Sequence, residues 1–188
     1  MRLVIVTLGL AVVLIGVLAV SDWAFQSTGH VEARPLILEQ DEGEHRLRRP
    51  RDVPMPPLSF TIKVDRFNGG SRKMWLGTEE LAPGGVIQRH RHLGQDEIVL
   101  IETGTAHVSV GAQERDVHPG AMLFIPSGTW ISLKNVGSEN MNLVFVFSDP
   151  GFDDYLRCTS VPAGQAPSRV TPEELSACRR RGHLETLR

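Results

Sequence analysis

With 188 residues, the chain is long enough for one ordinary domain plus extensions. A net charge of −2 excludes nucleic acid as the main partner, and an aromatic content of 6% excludes a stacking platform for single strands. A hydrophobic content of 41% supports a packed core.

Arg2 precedes an apolar run of 18 residues, Leu3 to Val20. The run is long for the core of a signal peptide and short for a spanning helix. Ala19-Val20-Ser21 offers small residues to a signal peptidase. Two readings of residues 1–21 stay open, a cleaved signal peptide and an uncleaved membrane anchor. The leading positive charge exports the rest of the chain in both. The expected location is therefore extracytoplasmic, periplasmic or secreted, with the membrane a partner if the segment is retained.

Residues 22–57 lack periodicity. They mix charges such as Glu32, Arg34, Glu44, Arg46 and Arg48 with Pro35, Pro50, Pro54, Pro56 and Pro57. This reads as a solvated tether or a loosely packed arm. From Leu58 the texture changes, and Leu58 to Val64 alternates as a strand does. Asn68-Gly69-Gly70-Ser71 is a turn, and Lys73 to Leu81 reads as a second strand. Short strands follow near 86–92, 97–102, 105–110, 121–125, 130–135 and 141–147, broken by glycines and prolines such as Gly94, Gly104, Pro119-Gly120 and Gly137. Many short, evenly spaced strands predict an all-β sandwich or barrel over 58–150. Met122, Phe124 and residues 143–147 are apolar on both faces of their strands. One face fills the barrel, and the other needs cover from a second subunit, the arm or the tail, which makes a homodimer one of the expected partners.

The tail, 151–188, holds the one predicted helix, from about 172 to 181. Thr171 suits the N-cap, Pro172 the first helical position, and Arg179 to Arg181 the C-terminal end, where they read as solvated. Cys158 and Cys178 also lie here. In an exported protein the pair reads as a disulfide closing a Pro/Gly/Ser-containing loop; two free thiols are the alternative.

The chemistry concentrates in Val86-Ile87-Gln88-Arg89-His90-Arg91-His92. Strict alternation places Ile87, Arg89 and Arg91 on one face and Gln88, His90 and His92 on the other. Two unpaired arginines belong on the wet face, so His90 and His92 turn inward. Glu97 opens the next strand after a short turn and is brought beside His92. A buried carboxylate without a partner is costly, and a divalent ion satisfies all three groups. Two imidazoles and one carboxylate suit Fe, Mn, Zn, Ni or Cu. The alternative is a hydrogen-bonded polar cluster or a water-filled pocket without an ion.

Two spaced patterns coincide here. Gly84, His90, His92, Glu97 and Gly104 fit Gly, five residues, His-x-His, three or four residues, Glu, six residues, Gly. Gly120, Pro126, Gly128 and Asn135 fit Gly, five residues, Pro-x-Gly, two residues, His, three residues, Asn, with Ile131 at the histidine position. In these residues the chain resembles the cupin superfamily. The resemblance covers roughly 58–150. It implies a double-stranded β-helix (jelly-roll) barrel of six to eight strands with a metal or ligand pocket, often in a homodimer. It also makes Ile131 the replacement of the usual last metal ligand. Neither His107, which shares a face with Thr105 and Ser109, nor His118, before a turn, is an obvious substitute.

The combined expectation is an exported, single-barrel cupin with a short C-terminal helix. His90, His92 and Glu97 would bind a divalent metal, and a small molecule would enter past Gln88 and Ile131. The resemblance suggests dioxygenase, isomerase or lyase chemistry. The rival is a non-catalytic ligand-binding or sensor module with a degenerate metal site, so enzymatic activity is left open.

Overall fold

A computed structural model describes residues 32–51 and 59–187. The apolar run of residues 3–20, with its two export readings, and Pro54, Pro56 and Pro57 lie outside the described residues. Among the described residues, no helix is long and apolar enough to cross a membrane.

In chain order the strands are β1 (Glu44–Arg48), β2 (Ser59–Val64), β3 (Trp75–Leu81), β4 (Val86–His92), β5 (Glu97–Ile101), β6 (Ala106–Val110), β7 (Gln113–Val117), β8 (Met122–Ile125), β9 (Ile131–Asn135) and β10 (Met141–Phe147). The tail adds helix α1 (Phe152–Cys158), β11 (Ser160–Pro162), helix α2 (Pro172–Arg181) and β12 (Leu184–Thr186). One antiparallel sheet has the order β11-β1-β2-β3-β10-β5-β8 and the other β12-β4-β9-β6-β7. Alternation explains the packing: in β10, Met141, Leu143, Phe145 and Phe147 are buried and the residues between them are half-buried. They meet Ile62, Trp75, Leu81, Ile101 and Leu133 in a shared core, with Trp75 stacked on Phe147 at 4.7 Å. The result is the expected all-β jelly-roll with a small helical tail.

The second fingerprint's asparagine is structural. Asn135 is fully buried; its side-chain NH₂ donates to the carbonyls of Leu81 and Glu139, and its Oδ1 accepts from Gly137 N–H. Gly104 has φ +83°, and a Cβ there would come within 2.7 Å of Met141, so only glycine fits that turn.

Five elements depart from the sequence reading: β1, β7, α1 and the tail strands β11 and β12, which no alternation announced. Part of the expected tether is strand β1, paired with both β2 and β11. Its charges are not solvated but locked: Arg157 reaches Glu44, the fully buried Asp65 and Asp153, and Arg46 donates to Ser160 Oγ at 2.6 Å. Helix α1 went unread because it has seven residues and no side-chain cap. Strand β7 shows no alternation; four of its five residues are exposed, and pairing with β6 holds it. Helix α2 occupies its expected span, with a capping box between Thr171 and Glu174. A disulfide joins Cys158 at the end of α1 to Cys178 in α2.

Candidate metal centre

Strand β4 positions the two histidines, but not by strict alternation. Against β9 its register steps from Ile87↔Leu133 to His90↔Ile131, three residues against two. The extra residue makes a β-bulge across Gln88 and Arg89. Residues directly opposite in an antiparallel pair share a face. Leu133 and Ile131 are buried inward, so Ile87 and His90 point inward too, and His92 follows two residues on. Ile87 therefore leaves the wet face that alternation assigned to it beside Arg89 and Arg91. Gln88, expected to point inward, sits on the bulge and is exposed, although it still touches the cavity. Arg91 does face outward, paired with Glu185 at 2.5 Å and lying over Trp130.

Glu97 opens β5 opposite Phe147 and Ile125, on the other sheet. The sandwich brings it to the histidines: His90 Nε2 and His92 Nε2 are 3.1 Å apart, and His92 Nε2 is 3.6 Å from Glu97 Oε2. One donor atom from each of the three lies within 4.8 Å of the others. The backbone carbonyl of Gln88 lies 2.7 Å from His90 Nδ1, so that nitrogen carries the proton and the Nε2 lone pair is free for a ligand. The ring edges of Phe147 and Phe152 hold the His92 ring, with centroids 4.8 and 4.3 Å away.

These residues fit a metal. Two nitrogens bound to one ion at about 2.0–2.1 Å lie roughly 2.8–3.4 Å apart at right to tetrahedral angles, which spans the observed separation. Glu97 Oε2 and His92 Nδ1 are buried without a hydrogen-bond partner, an expensive arrangement that an ion at the centre relieves for the carboxylate. Burial, reinforced by the nearby Glu79, pushes the Glu97 carboxyl up to about 8. Burial lowers both imidazoles, His92 well below its ordinary value with help from His90, and His90 further lowered by Arg48. The histidines are thus neutral ligands at neutral pH, and the carboxyl must lose a proton to bind an ion.

The triad opens on a cavity of about 530 Å³. His90, Glu97, Ile131, Leu133, Leu143 and Phe145 line it from the barrel. Ile131, buried against the core, makes its wall apolar where the fingerprint has a histidine. Its other side is built by residues the sequence reading passed over: Arg48 and Arg51 from the arm, Tyr155 and Leu156 from α1, and Leu175 and Arg179 from α2. Arg179 is thus a cavity residue rather than part of a solvated helix end. No periodicity signalled this, because these segments lie far apart in sequence and converge only through the tail. His107 faces outward, bound to Asp116 at 2.8 Å and Glu114 at 2.7 Å, and His118 is exposed. Neither reaches the triad.

Comparison with known proteins agrees with this architecture. The family model described as the cupin domain matches residues 77–147. An uncharacterized protein of Streptomyces coelicolor is 29% identical over 79 residues, 42% of this chain and 73% of that protein. Among solved structures, a predicted oxalate decarboxylase of Thermotoga maritima superimposes with a TM-score of 0.52 at 18% identity, covering 61% of this chain and 100% of that one. A cupin-superfamily sugar phosphate isomerase of Silicibacter pomeroyi gives a TM-score of 0.52 at 22% identity, covering 62% of this chain and 77% of that one. At these identities the likeness is one of fold. Strand order, fingerprint residues and family match together identify a cupin domain in this chain, matched by its family model over residues 77–147.

Proposed function

We propose that this chain is an extracytoplasmic cupin that binds one divalent metal through His90, His92 and Glu97 and a small molecule in the adjoining cavity. The observation that carries the reading is the buried donor triad, two imidazoles and an unpartnered carboxylate, opening on a cavity walled in part by Leu133, Leu143 and Phe145. A bound divalent ion would supply Lewis-acid or redox chemistry to a ligand. The chain's own part is to hold that ligand against Leu133, Leu143 and Phe145, to limit water, and to leave the side of Ile131 free of a fourth protein donor. Retention of a proton on Glu97 in the metal-free state keeps the empty triad uncharged. Export is supported by the apolar run of residues 3–20 and by the disulfide of the tail. A homodimer is supported by Met122 and Phe124, which remain more than half exposed on the outer face of β8.

Metal analysis of the purified chain tests the reading. Stoichiometric iron, manganese or another divalent ion is expected, and its loss in His90→Ala. The replacement at Ile131 favours a second reading, a ligand-binding module whose metal site has decayed. Metal-free wild type that still binds a small molecule selects that module. Ile131→His separates the two further: a gain in metal affinity is expected only if the wild-type donor set is incomplete.

A further inference from the structure

The cavity carries more positive charge than its fold explains. Arg48 is paired with Glu79 at 3.2 Å. Arg51 and Arg179 line the same cavity, and among the described residues neither has a carboxylate partner. Arg51 donates to Tyr155 Oη at 2.8 Å. Arg179 Nε is buried with no hydrogen-bond partner at all. A guanidinium N–H removed from water without an acceptor is costly, so its place at a cavity wall needs a cause. The fold fixes it there: Arg179 follows Cys178, whose disulfide ties α2 to α1, the helix that carries Tyr155. None of the three arginines belongs to the matched domain of 77–147; the arm and tail add them to the barrel.

We propose that Arg51 and Arg179 form a carboxylate-recognition site, so that the ligand is a small organic acid with an apolar body. The proposal deepens the ligand-binding reading above and rests on it. A carboxylate offers two oxygens in one plane, the shape that a guanidinium fork pairs with in two parallel hydrogen bonds. Leu133, Leu143 and Phe145 form an apolar part of the wall that suits the ligand's body. Glu79, paired with Arg48, lies in the same wall and disfavours a dianion such as a phosphate monoester.

The test uses the full chain and three probes of similar body, namely benzoate, its neutral amide benzamide, and phenyl phosphate. Binding is measured calorimetrically, and metal content is determined on the same samples. Benzoate is expected to bind at least about tenfold more tightly than either of the others, as a charge-assisted pair implies. Arg179→Gln and Arg51→Gln are each expected to weaken benzoate by about tenfold or more without changing metal content. Comparing the probes on wild type needs no variant and stands even if one of these fails to fold. If the chain proves metal-free while the benzoate preference and the Arg179→Gln loss persist, the carboxylate site stands and the metal centre falls. Equal binding of benzoate and benzamide, no measurable benzoate binding, wild-type affinity in Arg179→Gln, or preference for phenyl phosphate each overturns the proposal.

Discussion

Glu97 decides the chemistry of the centre. Its carboxyl sits near 8, raised by burial and then by Glu79, whereas an exposed glutamate ionises near 4.5. The sign for metal uptake follows. Below about 8 the ion must displace the carboxyl proton, so affinity falls as the pH drops; above it no proton is released. Between about pH 7 and 6 the expected loss is roughly tenfold per unit, the signature of a single proton. The histidines, held below their ordinary values by burial, add to this only at lower pH. Titration calorimetry in buffers of different ionisation enthalpy reads the proton directly: close to one released at pH 6.5, close to none at pH 9. Glu97→Gln is expected to abolish that release and to weaken metal binding by at least the ~10–100-fold that even an outer-sphere partner carries.

At the scale of elements, the site was legible in part. His90, His92 and Glu97 could be read because two arginines at alternate positions had to face water. The bulge between Ile87 and His90 could not, since it exists only in the register of β4 against β9. The same holds for the arm. Its arginines and acids read as solvated because their partners, Glu79, Arg157, Ser160 and Glu174, lie far along the chain. That network makes β1 part of the sheet and so brings Arg48 and Arg51 to the cavity. Removing its hub, in Arg157→Ala, leaves the buried carboxylate of Asp65 without a cationic partner and Asp153 with Arg66 alone. The expected cost is about 3–5 kcal/mol of stability, measured by denaturant unfolding. The disulfide acts on the other half of the cavity wall. Its sequence separation of 20 residues corresponds to about 3 kcal/mol of unfolded-state entropy, so Cys158→Ser with Cys178→Ser is expected to lower stability by that order while leaving the barrel folded.

At the scale of the molecule, the cupin domain supplies the donors and a two-part wrapper supplies the far wall of the cavity. The fingerprint located the donors because backbone turns such as those at Gly104 and Gly128 fix its spacing, with φ of +83° and +79°. The wrapper has no such spacing, which is why the arginine-lined wall escaped the sequence. The proposed metal centre predicts a divalent ion bound at His90, His92 and Glu97. The most direct measurement is an anomalous difference map from crystals of the full chain grown with manganese. The expected result is one peak within bonding distance of His90 Nε2, His92 Nε2 and a Glu97 oxygen. An empty triad under saturating manganese, or a peak only at the exposed cluster of His107, Glu114 and Asp116, would contradict it.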